Sequence, residues 1–371
     1  MMSARFLTVV LERVFNMRDG FGREIDYMRI SVIDSCNLNC YYCNPCDNNE
    51  HCHALNILSV KEVLCIVRAA TRLGIKHFRL TGGEPLLHPQ IDEMVLQIKK
   101  IPGVSSVSLT TNAVLLVQHA KWLKEAGIDS INVSLDTIDA SEYERITKKP
   151  LLEEVKHGIN AAIECGIRVK INVVLTPQTD VVALTRYVAK KGTDIRFIEM
   201  MPVGEGHTNG VEPYKKVIGT LSKLYGEPCR INTEKTKEIN SGNDKRKIPD
   251  NGPAEYYIFP ELGIRVGLIQ AIHGKFCDTC NRIRVTADGR LMPCLGSSVT
   301  MDLVPDSWDF ADDVEKDFVI VRALRAAIKA KPRCHNFNDN AVTYTKTTET
   351  KTTEIEAAEV NAARNMSRIG G

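Results

Sequence analysis

Two sets of three cysteines carry the chain's strongest chemical signal. Cys36, Cys40 and Cys43 form a C-x3-C-x2-C array inside the stretch Asp34–Asn44, and Cys277, Cys280 and Cys294 form a C-x2-C-x13-C array far downstream. Thiolates gathered this closely make soft ligand sets, suited to iron–sulfur clusters, zinc or cuprous ion. The number of ligands separates these. A structural zinc site takes four. A cubane cluster held by three cysteines leaves one iron without a protein ligand, open to a substrate or cofactor. Spare thiols or part of a zinc knuckle are the plain alternative for the first array. A zinc ribbon at the second would need a fourth ligand, for which Cys334–His335 is a distant candidate. Two separate three-thiolate sites fit structural zinc poorly.

Cations accompany the cysteines. Arg29, Arg79 and Lys170 fall in short β-branched runs, where residues two apart share a face. Arg29 then sides with Ser31 and Ile33, Arg79 with Thr81 and Gly83, and Lys170 with Asn172. A parallel sheet covered by helices buries both its faces, so each cation there needs an anionic partner. An internal carboxylate would serve for any one of them. Three on one lumen suggest a polyanionic substrate, most simply a polyphosphate. Asn281-Arg-Ile-Arg284 adds Arg282 and Arg284 beside the second cysteine array.

The elements that must position these groups follow a rhythm. Strands are expected at 27–33, 77–81, 105–110, 130–135, 168–175 and 194–199. Amphipathic helices are expected at 59–73, 90–101, 115–126, 151–165 and 181–191. Strands alternating with helices read as a parallel sheet, either open and doubly wound or a partial barrel. In both, ligands sit at the carboxyl ends of the strands. The unusual strings fall there: the first cysteine array, Thr81-Gly-Gly-Glu-Pro85, Thr110-Thr-Asn112, Ser134-Leu-Asp136 and Glu199-Met-Met-Pro202.

The totals set limits. With 371 residues the chain has room for two domains, or for one barrel and an appendage. Its 43% hydrophobic and 25% charged residues suit a globular protein. A net charge of +2 makes no global case for nucleic-acid or membrane binding, and no apolar run has the length of a membrane span. The twelve cysteines are clustered, which suggests a reduced compartment and metal binding rather than a disulfide framework. Near the start no small-residue cleavage site follows the apolar stretch, so no targeting peptide is expected. The alternation stops near residue 213. Residues 235–253 read as a loop and residues 342–358 as a solvated insertion. A terminal Gly370–Gly371 reads on general grounds as a frayed tail.

Taken together, the residues resemble a family. The first array with Tyr42, and Gly-Gly-Glu-Pro at 82–85, resemble the radical S-adenosylmethionine (SAM) enzymes. Residues 21–31, Arg196-Phe-Ile-Glu-Met-Met-Pro202, residues 276–284 with Cys294, and the Gly-Gly end resemble the GTP 3′,8-cyclases of molybdenum-cofactor biosynthesis, which are lyases. The likeness implies an α/β fold, a partial (βα)6 TIM-type barrel with a C-terminal segment closing the open side. It implies an N-terminal extension at 1–26, the barrel at 27–212, and a second-cluster and substrate region at 213–371 that carries the insertion. It implies two 4Fe–4S clusters, one on Cys36, Cys40 and Cys43, the other on Cys277, Cys280 and Cys294.

SAM would contact Tyr42, Gly83, Ser134 and Met201. GTP would contact Arg29, Arg79, Thr110, Lys170, Arg282, Ile283 and Arg284, with Arg29 and Arg79 also serving catalysis. Arg196 ranks lower, because alternation sets it opposite Glu199 and Met201. In such enzymes a 5′-deoxyadenosyl radical takes the 3′ hydrogen of GTP, and C3′ then bonds to guanine C8. The Gly-Gly tail would reach the site. The implied partners are GTP, a reductase or a ferredoxin- or flavodoxin-type electron donor, a downstream cyclic pyranopterin monophosphate synthase and a second copy of the chain, with no nucleic acid and no membrane. The implied location is the cytoplasm, with an organellar matrix as the other choice.

Departures stand beside the likeness. Ala113 follows Thr-Thr-Asn where the family commonly has Gly, and His88 stands where a basic residue is common. Cys46, His51, Cys52 and His53 crowd the loop after the first array. Another radical SAM enzyme with one auxiliary cluster, such as a peptide-modifying maturase, is the competing reading. A zinc scaffold is the non-enzymatic one.

Overall fold

The computed structural model describes residues 17–43, 56–203, 206, 210–231, 252–297, 300–303, 313–335 and 337. The tail, the 342–358 insertion, most of 235–253, and Cys46, His51, Cys52 and His53 lie outside the described residues.

In chain order the first elements are β1 (Tyr27–Ser31), α1 (Val60–Arg72), β2 (His77–Thr81), α2 (Ile91–Lys99), β3 (Ser106–Thr111), α3 (Leu116–Glu125) and β4 (Ser130–Ser134). Next come α4 (Ala140–Thr147), α5 (Leu152–Glu164), β5 (Val169–Val174), α6 (Val181–Lys190) and β6 (Asp194–Ile198). The downstream part adds α7 (Gly219–Tyr225), β7 (Cys229–Arg230), β8 (Glu255–Ile258), β9 (Arg265–Ile269), β10 (Arg282–Val285), β11 (Arg290–Met292), β12 (Met301–Asp302) and α8 (Asp313–Lys329). The six expected strands form within a residue or two of their limits, as do the five expected helices.

Local chemistry explains the helix starts. Ser59 caps α1 through a reciprocal capping box with Glu62, and Val63, Ile66, Val67 and Ala70 make its buried stripe. The sequence reading missed α4. It is short, but Asp139 caps it by accepting the Glu142 N–H at 2.8 Å, and Lys148 ends it at φ 61°.

The strand order is β12-β11-β10-β1-β2-β3-β4-β5-β6-β9-β8-β7. From β1 to β6 it never reverses, which rules out the doubly wound alternative, since that needs a switch point. Crossovers of one hand then place the helices on one face, and the sheet curls around the other. β10 joins β1 and β9 joins β6, both in parallel. The six-stranded unit is thus extended at both edges by strands of the downstream region, and the sheet is not closed. Antiparallel β11–β12 and β7–β8 continue the two edges.

Met28, Ile30, Phe78, Leu80, Ile131, Val133, Ile195 and Phe197 pack under the helices, and all are buried. The inner face is polar: Arg29, Arg79, Ser108, Thr110, Asn132, Lys170, Asn172 and Arg196 alternate with that apolar set. Among the described residues no helix is long and apolar enough to cross a membrane.

Candidate active site

The first cysteine array leaves the carboxyl end of β1. Asn39 and Tyr41 donate their N–H groups to the carbonyls of Thr147 (3.0 Å) and Ile146 (3.1 Å), so α4 serves as the shelf that holds the loop. Cys36 lies at the exposed edge, yet the loop desolvates its sulfur and pushes the thiol up to about 11. Burial raises Cys40 further, helped by the Asp136 charge and by its neighbours Cys43 and Cys36. A metal binds the thiolate and displaces the thiol proton, so metal loading and thiolate formation are coupled.

The neighbouring rim strings converge on this loop. Gly83 N–H donates to Ile33 O at 2.7 Å and Glu84 N–H to Ser35 O at 2.8 Å. Glu84, 1% exposed, accepts from Thr111 Oγ1 (2.7 Å), Asn112 N (2.7 Å) and Leu86 N (3.0 Å). Asn112 Nδ2 donates to Asn37 Oδ1 at 2.7 Å and approaches Cys36 Sγ at 3.8 Å. The Gly-Gly-Glu-Pro and Thr-Thr-Asn strings therefore form one brace behind the cysteines. Tyr42 Oη donates to Asp136 Oδ2 at 2.5 Å, and Val174 N–H donates to Asp136 Oδ1 at 2.7 Å. Ser134 is exposed on the same rim, and half-buried Met201 follows β6.

Burial pushes the Glu84 carboxyl up to about 7, against its three hydrogen bonds, and Asp136 up to about 6. The folded chain therefore binds these protons more tightly than the unfolded chain, and the stabilisation they give falls as pH rises. We expect the stability of the cluster-free protein relative to Glu84→Gln to drop by about 2 kcal/mol between pH 5 and pH 7.5, read by denaturant unfolding.

Deeper in the lumen the cations meet. Arg29 stands in register with Arg79 on one side and Arg284 on the other. Arg79 and Arg282 lie over the Tyr27 ring at 5.6 and 5.7 Å. Burial would raise the Tyr27 hydroxyl, but Arg79, Arg29 and Arg282 hold it below its ordinary value. Burial, then the Arg284 and Arg79 charges, pushes Arg29 well down, and burial with Arg282 brings Arg284 to about 10. Arg29 Nε, Asn132 Nδ2, Asn172 Oδ1 and Arg196 Nε are buried without hydrogen-bond partners. Orphaned polar atoms around a knot of like charges suit a large polyanionic ligand.

Thr110 is in register with Asn132, and Asn132 with Lys170. Arg196 shares their face and hydrogen-bonds Asn132. Its parity relative to Glu199 carried no weight, because β6 ends at Ile198. Ile283 is placed otherwise: its side chain is fully buried on the core face, opposite Arg282 and Arg284.

The second array lies at the other end of the strands. Cys280 precedes β10, whose first residue, Arg282, is in register with Tyr27, the first residue of β1. Cys36 follows the far end of β1, so strands of this length hold the two arrays roughly 15 Å apart along the lumen. Burial would raise the Cys280 thiol, but Lys331 and Arg282 outweigh it and lower it. Burial raises Cys277, whose sulfur also accepts from the His335 N–H and faces Cys294, Cys280 and Cys334. Cys334 is thus near the array, and His335 is turned away, its Nε2 against Ala271 O at 2.7 Å.

Among the described residues no three His, Cys, Asp or Glu side chains converge enough to hold a single metal ion. A cubane cluster does not need its thiolates to converge on a point, since its irons occupy separate corners. Three thiols at the first array are one short of the four ligands of structural zinc and are the number that leaves one iron of a cubane open.

Among the departures, Ala113 adopts the left-handed conformation that glycine would take, at φ 66°, which costs about 1 kcal/mol. His88 is a satisfied core residue, 2% exposed, with Nε2 against Leu58 O at 2.9 Å. Sequence reasoning passed over Tyr27, Asp136, Asn112, Asn132 and Lys331. Asp136 and Asn112 stood inside strings already singled out, and Tyr27 and Asn132 shared strand faces with named cations.

Residues 30–183 match the radical SAM superfamily, and residues 193–337 match the domain described as Molybdenum Cofactor Synthesis C. A GTP 3′,8-cyclase of Clostridium perfringens (strain SM101 / Type A) is 36% identical over 324 residues, 86% of this chain and 95% of that one. Another, from Petrotoga mobilis, is 35% identical over 331 residues, 87% of this chain and 96% of the relative. The crystal structure of Streptococcus suis SuiB bound to S-adenosylmethionine has a TM-score of 0.54 at 15% identity, covering 80% of this chain and 68% of SuiB, which is a likeness of fold. Both cysteine arrays fall inside the matched stretches, and the identity runs nearly the full length of those relatives, so the chain belongs to the GTP 3′,8-cyclase family of radical SAM enzymes.

Proposed function

We propose that this chain joins C3′ of the GTP ribose to C8 of its guanine, giving 3′,8-cyclo-7,8-dihydro-GTP, the first step of molybdenum-cofactor synthesis. SAM and 4Fe–4S clusters are its cofactors. The observation that carries the reading is the guanidinium row Arg284–Arg29–Arg79, which spans the lumen between two three-cysteine arrays. Bound at the carboxyl rim, SAM and the first cluster would supply the radical chemistry that the reaction needs. The protein's part is to hold and orient.

Cys36, Cys40 and Cys43 would hold the first cluster, leaving SAM a place beside it. Tyr42, fixed by Asp136, and Gly83, Ser134 and Met201 frame the SAM pocket. Arg29, Arg79, Lys170 and Arg284 take the triphosphate, with Thr110 at their side. Cys277, Cys280 and Cys294 hold the second cluster, toward which Arg282 and the backbone at Ile283 guide the base. Exclusion of water once the substrate fills the lumen would protect a carbon radical from side reactions. We also propose a cytoplasmic setting, a ferredoxin- or flavodoxin-type donor and a partner synthase that consumes the product.

The test is anaerobic reconstitution with SAM, a strong reductant and GTP. A cyclised nucleotide formed in step with 5′-deoxyadenosine is expected by mass spectrometry. Production of 5′-deoxyadenosine that ignores GTP, with no cyclised product, would overturn the reading. Arg282→Ala should lower kcat/KM for GTP by roughly tenfold or more while SAM cleavage persists. Equal loss of SAM binding would contradict its role at the substrate end.

A further inference from the structure

The segment Lys331–His335 lies against the second cysteine array, although the sequence separates them widely. Lys331 is 3% exposed. Its Nζ donates to the carbonyls of Arg282 at 2.7 Å and Pro293 at 2.8 Å, and it hydrogen-bonds the Cys280 thiol. Those carbonyls flank Cys280 and Cys294 in the chain. One buried ammonium therefore joins both arms of the array and touches one of its ligands. The next thiol, Cys277, receives the His335 N–H from the same segment.

Arg23 fixes that segment in place. Its guanidinium donates to Pro332 O (2.6 Å), Arg333 O (3.0 Å) and Cys277 O (2.7 Å), and its Nε to Asp19 Oδ2 (2.5 Å). A lysine held this firmly is not a solvated surface charge that happens to lie nearby. A simple clip between two carbonyls would not require a third bond to a sulfur, and burying an ammonium without an anion is costly. An iron–sulfur cluster is the anion that would offset it.

We propose that Lys331 is a positioning residue for the second cluster, and that its charge and N–H···S hydrogen bond to Cys280 raise that cluster's reduction potential. This rests on the reading that Cys277, Cys280 and Cys294 hold a 4Fe–4S cluster. Hydrogen bonds to cluster sulfurs and added positive charge both favour the reduced, more negative form. The potential is a property of the loaded protein and does not depend on what substrate it turns over.

The test is a redox titration of the full-length, doubly reconstituted protein, followed by electron paramagnetic resonance, with iron content as the loading control. Lys331→Met should make one-electron reduction of the second cluster at least tenfold less favourable, a shift of about 59 mV downward. Lys331→Arg, which keeps the charge and the donors, should restore most of it, and the first cluster should be unmoved. Where Lys331→Met fails to load, Lys331→Gln is read in its place, since it keeps two N–H donors for the carbonyls and drops the charge. An unchanged potential in a fully loaded variant would overturn the proposal and leave Lys331 a backbone clip. Zinc, or no cluster, at the second array of the wild-type protein would instead overturn the cluster reading itself.

Discussion

Replacing Arg29 by methionine should weaken GTP use and at the same time make the ligand-free protein more stable. Arg29 sits in register between Arg79 and Arg284, with Arg282 also facing it. Its Nε is buried without a partner. A guanidinium in that position is held at a cost, since burial and three like charges all oppose its proton. Methionine keeps the length and removes the charge. Buried charges replaced by apolar groups of similar size commonly raise stability, here by about 1–2 kcal/mol, or a few degrees in Tm. In the proposed site the same guanidinium would make charge-assisted hydrogen bonds to the triphosphate worth about 1.5–3 kcal/mol, so kcat/KM for GTP should fall about 10- to 150-fold. SAM cleavage at the rim should persist. A variant that melts lower and binds GTP as before would mean that Arg29 has a local structural partner and that the phosphates lie elsewhere.

This opposition of stability and binding bears on what could be read from the sequence. The strands and their faces were legible because side chains along a strand alternate with a period of two, and Arg29, Arg79 and Lys170 marked one of the two faces. Reading both faces as covered by helices was the weaker step. Monotonic strand order puts all the helices outside, so the inner face is a lumen rather than a second core. Cations there can face a ligand instead of a carboxylate.

Other features were hidden for physical reasons. Helix α4 has only eight residues, too few for a periodic stripe to stand out, yet it carries the first cysteine loop. β9 and β10 lie beyond residue 213, where strands no longer alternate with helices, so nothing in that order marked them as neighbours of β6 and β1. Lys331 and Arg23 act through backbone carbonyls of residues far away in the chain, and such contacts leave no pattern in residue type. Its place in a motif assigns Ile283 to GTP, whereas strand alternation alone turns its side chain to the core. A motif match selects a position in the chain; alternation decides whether the side chain or the backbone is available there.

Gly83→Ala should cost the protein its first cluster while leaving the second. The glycine was assigned to SAM by resemblance, but its surroundings state a prior demand. A Cβ at this position would lie 2.1 Å from Ser35 O, 2.4 Å from Ser35 C and 2.6 Å from Asp34 O. All three are backbone atoms of the segment that leads into Cys36, and that segment is already fixed by the Gly83 and Glu84 N–H groups. No flexible side chain is there to give way, so the loop must move by roughly an ångström. Overpacking of this kind costs about 1–3 kcal/mol or more where backbone must shift. The three thiols of the first array would no longer frame a cubane together with Asn112 and Tyr42 in their present positions. Iron per chain should fall by about half, 5′-deoxyadenosine formation should be lost, and the spectroscopic signal of the second cluster should remain. Full iron content with only weakened SAM binding would refute the spacing argument and make Gly83 a contact for the cofactor alone. Complete loss of both clusters would show that the brace from Gly83 through Glu84 to Asn112 supports the barrel as a whole rather than its carboxyl rim.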